Sequence, residues 1–160
     1  EFAVQMMQNY KEKSFANISS ENLNLDTEEE KQNLNKLNED HKDMFTIMKE
    51  AIGDSVQAVK FTHRLKNHPV CLVAEGNVSV EMEKVLNMMP NNNNNIKAEI
   101  VLEINDSHPI ADKVKELYEA DKETLKEYAK ILYSQARLIE GLPVENPTEI
   151  SNIICEFLAK

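Results

Sequence analysis

Ile96-Lys97-Ala98-Glu99-Ile100-Val101-Leu102-Glu103-Ile104 alternates almost without a break. Ile96, Ala98, Ile100, Leu102 and Ile104 fall on one face of an extended chain, while Lys97, Glu99 and Glu103 take most of the other. A period of two is the signature of a strand with one buried face. Upstream, Val56 to Thr62 is a second strand candidate, and Val70-Cys71-Leu72-Val73-Ala74 a third. The last is apolar on both faces, which predicts a central place in a sheet. Between these strands, Val78 to Met89 has helical spacing, and the five asparagines 91–95 favour turn or coil.

The remainder reads as helix. Thr27 and Glu30 have the spacing of a capping box, in which each side chain satisfies an orphan N–H at a helix start. Glu28-Glu29-Glu30 suits the positive end of the helix dipole. Leu34, Leu37, His41, Phe45 and Met48 then recur at helical spacing, widened by Met44, Ala51 and Ile52, so one long helix is expected from Thr27 to the stop at Gly53. After the third strand, Pro109 suits a first helical position. Ile110, Val114, Leu117 and Tyr118 make one stripe, and Leu125, Tyr128, Ala129, Leu132, Ala136 and Ile139 the next, which Gly141 and Pro143 end. Asn146-Pro147-Thr148-Glu149 opens the last helix with a cap, a proline and an N3 glutamate. The first 25 residues read as a short helix-like stretch followed by a possible strand at Lys13-Ser14-Phe15-Ala16-Asn17-Ile18, then a polar linker.

With 160 residues the chain is long enough for one domain with a real core. Three glycines and five prolines favour long regular elements. The formal charge of −10 disfavours nucleic acid, whose binding depends on phosphate neutralisation, and anionic membranes. No apolar run approaches the roughly 20 residues that span a bilayer. Glu1 to Tyr10 shows no basic region followed by an apolar stretch, so no secretory leader is expected; the absence of a first Met suggests a piece of a longer protein. Cys71 and Cys155 both read as small buried hydrophobes in a reducing compartment.

Three features bear on function. Ile150, Ile153, Ile154, Phe157 and Leu158 form a dense stripe on the last helix. A helix this short is marginal alone in water, so it needs a partner. Two readings are open: it packs into its own domain, or two helices from each of two chains form a four-helix bundle. Ile131 and Leu138 lie off the main stripe of the preceding helix, giving that helix two apolar sides. The second feature is the stripe Val78, Met82, Val85, Leu86 and Met89, held between Gly76-Asn77 and the asparagine run. It is either ordinary core or an adaptable surface for non-native polypeptides. The third is the set of possible reactive groups. His41, His63, His68 and His108 have no metal-ligand spacing and read as solvated or core. A Cys71–His63 or Cys71–His108 nucleophile pair is conceivable, but a thiol in a buried strand has a raised pKa and is inert. The three scattered glycines make no phosphate loop.

Several segments, in order, resemble the heat shock protein 90 family of chaperones, in its bacterial HtpG type. Thr62-His63-Arg64-Leu65 with Pro69 and Cys71-Leu72-Val73, Leu102-Glu103-Ile104-Asn105-Asp106-Ser107-His108-Pro109, and Gln135-Ala136-Arg137-Leu138-Ile139-Glu140-Gly141 carry the likeness, together with Pro147 to Leu158. Each piece is short; their ordered combination is specific. The resemblance divides the chain into residues 1–25, the tail of a middle domain and a linker, and residues 26–160, a C-terminal dimerisation domain. It implies an α+β fold: a small three-stranded mixed sheet covered by helices, with the two C-terminal helices forming an intermolecular four-helix bundle. It implies a homodimer closed by Leu132, Ala136, Ile139, Ile150, Ile153, Ile154 and Phe157, and contact with non-native client proteins through Val78, Met82, Val85 and Leu86. Val78 stands where many bacterial relatives carry Met. ATP and Mg would belong to an N-terminal domain of the longer protein, which would be the ATPase; this stretch would hold no cofactor and no catalysis. The ending Phe157-Leu158-Ala159-Lys160, without an acidic tail or a retention signal, implies a bacterial cytoplasmic member. The competing reading is a monomeric acidic α+β adaptor that binds one specific protein partner.

Overall fold

The computed structural model describes residues 9–11, 13–14, 27–75 and 98–159. At the start, β1 (Asn9–Tyr10) pairs antiparallel with β2 (Lys13–Ser14). Lys11 takes φ 48 between them, the left-handed turn that reverses the chain. Lys13 and Ser14 are extended as expected, whereas Asn9 and Tyr10 are strand rather than the end of a helix.

The expected helix from Thr27 to Gly53 is two helices, α1 (Glu28–Asp40) and α2 (Lys42–Ile52). The capping box is present in full. Thr27 Oγ1 accepts from the Glu30 N–H at 3.3 Å, and Glu30 Oε2 accepts from the Thr27 N–H at 2.8 Å. The same backbone hydrogen bond holds the Glu30 carboxyl below its ordinary pKa. The break falls at His41, with φ −110 and ψ 16. Its Nδ1 lies 2.9 Å from the Leu37 carbonyl, the group its own backbone N–H would reach in an unbroken helix. That N–H turns to Glu39 instead. The side chain thus competes with the backbone for one acceptor, and sequence periodicity carries no trace of the competition. Beyond the break, α2 buries Met44, Phe45 and Met48. Helix α1 has no buried residue, and Leu34 and Leu37 pack half-buried against the core.

The sheet comprises β3 (Ala58–Thr62), β4 (Val70–Glu75) and β5 (Glu99–Asn105), in the order β3-β5-β4. β5 runs parallel to β3 and antiparallel to β4, so the sheet is mixed. Among the described strands β5 is therefore central, and β4, expected at the centre, lies at an edge. Every residue from Ile100 to Asn105 is buried, including Val101 and Glu103 on the face opposite Leu102. The alternation in this strand thus separates two covered faces rather than core from solvent. Leu102 is in register with both Val59 and Leu72, and Ile104 with Phe61 and Val70. That row meets Met44, Met48, Val114, Leu125 and Leu132 from the helices in one core.

At the outer edge of β3, the Asn38 side chain pairs with Phe61 as a neighbouring strand would. Its Nδ2 donates to the Phe61 carbonyl at 3.2 Å, and its Oδ1 accepts from the Phe61 N–H at 2.8 Å. One amide thereby closes part of an edge that would otherwise invite pairing.

Three further helices stand among the described residues of this α+β fold: α3 (Pro109–Ala120), α4 (Lys122–Ile139) and α5 (Pro147–Leu158). Pro109 opens α3 as expected, and His108 Nδ1 caps it by accepting from the Ile110 N–H at 3.2 Å. Asp121 caps α4 by accepting from the Glu123 and Thr124 N–H groups. The expected cap of α5 is different. Asn146 stands at the right position but in the left-handed region, φ 49 and ψ 56, and its side chain makes no cap bond. Glu149 reaches Lys130 on α4 instead, at 2.6 Å.

Candidate dimerisation surface

Helix α4 is amphipathic on two sides. Leu125, Ala129, Leu132, Tyr133 and Ala136 are buried, whereas Leu138 and Ile139 at its end are 63% and 49% exposed. Helix α5 rests on α4 lightly: Ile153 is its one buried residue. The Phe157 ring meets Tyr128 edge-on, with centroids 5.0 Å apart, and Lys130 pairs with Glu149. Ile154 and Leu158 are left 39% and 82% exposed.

The seven residues expected at a dimer interface therefore fall into three groups. Leu132, Ala136 and Ile153 are buried within a single chain. Ile150 and Phe157 are half-buried. Ile139 and Ile154 are open, and Leu138 and Leu158 join them. The signal for Leu138 was present in the sequence, as an apolar residue off the main stripe. The expected client residues Val78, Met82, Val85 and Leu86 lie outside the described residues.

The thiols separate. Cys71 is half-buried, with Sγ 3.8 Å from Glu103 Oε2. Burial, then the Glu103 charge, push its pKa up to about 12. Glu103 lies 3.8 Å from both Lys60 Nζ and an Arg64 terminal nitrogen, which compensate its burial. Neither histidine offered as a base serves Cys71: His63 Nε2 pairs with Asp106 at 3.0 Å, and His108 caps α3. Cys155, expected to be buried, is exposed. It follows Ile153 and Ile154 on a helix that lies down through Ile153, and so faces away from α4.

Gly53 and Gly141 stand at helix C-terminal ends, where carbonyls rather than N–H groups are presented. One cleft against α4 measures about 180 Å³ and one against β3 about 260 Å³. No helix among the described residues is long and apolar enough to cross a membrane.

The family model described as "Hsp90 protein" matches residues 1–160. The chain belongs to the Hsp90 family. Over 158 residues it is 49% identical to the chaperone protein HtpG of Clostridium perfringens (strain 13 / Type A), 50% to that of Clostridium botulinum (strain 657 / Type Ba4) and 46% to that of Bacillus subtilis (strain 168). Each alignment takes in 99% of this chain and 25% of the relative, so the chain spans about a quarter of the length of the curated relatives it matches. The Hsp90-family match includes residues 1–25 as well as the ordered segments that carry the likeness.

Proposed function

We propose that this Hsp90-family chain is the C-terminal homodimerisation and client-contact domain of a bacterial, cytoplasmic, ATP-dependent chaperone that assists protein folding. The observation that carries the reading is the set of open apolar side chains on the two terminal helices: Leu138, Ile139, Ile154 and Leu158. Two such helices from each of two chains, packed as a four-helix bundle, would remove them from water at about 25 cal/mol per Å² before association entropy is subtracted. Dimerisation at this end would raise the effective concentration of distant ATPase domains, which could then close over a client. ATP and Mg belong to that other part of the longer protein, and catalysis is assigned there. Client contact is assigned to Val78, Met82, Val85 and Leu86. Neither nucleic acid nor a membrane has a role in this reading, in keeping with the charge of −10.

Ile154→Asp tests the interface. It places a charge on an exposed position, so the fold is kept and dimers fall to monomers in sedimentation velocity. An unchanged dimer would remove α5 from the interface. A second reading, a monomeric acidic adaptor for one protein partner, draws on the burial of Leu132, Ala136 and Ile153 within one chain. It predicts the monomer mass for the unsubstituted chain.

A further inference from the structure

Residues 140–146 join α4 to α5, and Arg137, in the last turn of α4, reaches across the joint. Its Nε donates to the Pro143 carbonyl at 2.7 Å. One terminal nitrogen donates to the Tyr133 hydroxyl at 2.8 Å and to Glu145 Oε1 at 2.7 Å. The other Glu145 oxygen accepts from the Ser55 hydroxyl at 3.1 Å, which ties the joint to the turn before β3. The guanidinium lies over the Tyr133 ring, 5.6 Å from its centroid, on a side chain only 13% exposed. A planar fork that engages a carbonyl, a hydroxyl and a carboxylate fixes direction as well as distance.

A second, independent observation lies at the other end of the joint. Asn146 is left-handed without a cap bond to hold it there. A non-glycine residue in that region is strained and persists where its surroundings enforce it. Helix α5 has little packing with which to enforce its own angle, since only Ile153 is buried.

We propose that Arg137 is the positioning residue of the dimerisation helix. By clamping Pro143 and Glu145 it sets the direction in which α5 leaves α4, and so presents Ile154 and Leu158 outward as a prearranged surface. The consequence for association rests on the dimer reading; the clamp itself is a property of one chain.

Two measurements keep these apart. Sedimentation equilibrium of wild type, R137Q and R137K reads association. Hydrogen exchange of the same Arg137 substitutions in an Ile154→Asp background reads the order of α5 without any contribution from dimer protection. R137Q is expected to weaken dimerisation about tenfold or more and to speed exchange across residues 142–158 by a similar factor, with β5 amides unchanged. R137K is expected to recover only part of both, because an ammonium lacks the fork. Wild-type affinity with unchanged α5 exchange in R137Q overturns the proposal. So does a rise in β5 exchange equal to that of α5, which would mean that Arg137 merely stabilises the fold. If wild type is itself monomeric, the dimer reading fails, and the exchange experiment alone decides the clamp.

Discussion

Cys71 is half-buried and Cys155 is exposed. The Cys71 thiol, desolvated and beside a carboxylate, stays protonated to about pH 12, against an ordinary value of 9.0. The folded chain therefore binds that proton more tightly than the unfolded chain. The stabilisation is present in full below pH 9 and is lost as pH rises from 9 towards 12. Folded protein at pH 8 should take one equivalent of iodoacetamide quickly, at Cys155, and a second only on unfolding; two fast equivalents would refute the assignment. Cys71→Ala should flatten the decline of the urea midpoint between pH 9 and pH 11. Asn38 offers a sharper test of local physics. Asn38→Ala removes both partners of Phe61 at the sheet edge and should cost about 1–3 kcal/mol in urea unfolding.

At the scale of elements, α5 has one residue that holds it and its neighbour that does not. Ile153→Ala should lower stability by about 2–4 kcal/mol, because it empties a buried site. Ile154→Ala should leave the monomer's stability nearly unchanged and act on association alone. Equal losses of monomer stability would mean that the helix docks on another face. The contrast also marks how far the sequence could be read. The stripe Ile150, Ile153, Ile154, Phe157 placed the helix and its apolar side, but periodicity treats its members alike. Burial was divided between them by contacts outside the helix: Tyr128 and Lys130, distant in sequence, and the joint after Arg137. The Thr27–Glu30 box, Gly53 and Pro109 were legible because each works within four residues. The break at His41 was not, because a side chain took the carbonyl that continuity required. Nor was the strand order: Glu103 looked like solvent-facing charge until Lys60 and Arg64 came to it from other segments.

For the molecule as a whole, the proposed function assigns association to the terminal helices and client contact to Val78, Met82, Val85 and Leu86, so the two should respond to different substitutions. Met82→Ser with Leu86→Ser should reduce binding to an unfolded protein, read by suppression of its aggregation, without changing the dimer. Equal suppression by the double substitution would take the client role from that segment. The most direct test remains the mass of the unsubstituted chain in solution. Sedimentation equilibrium at micromolar concentration should return twice the mass of one chain, falling to one in Ile154→Asp. A single-chain mass for the unsubstituted protein across that range would contradict the account.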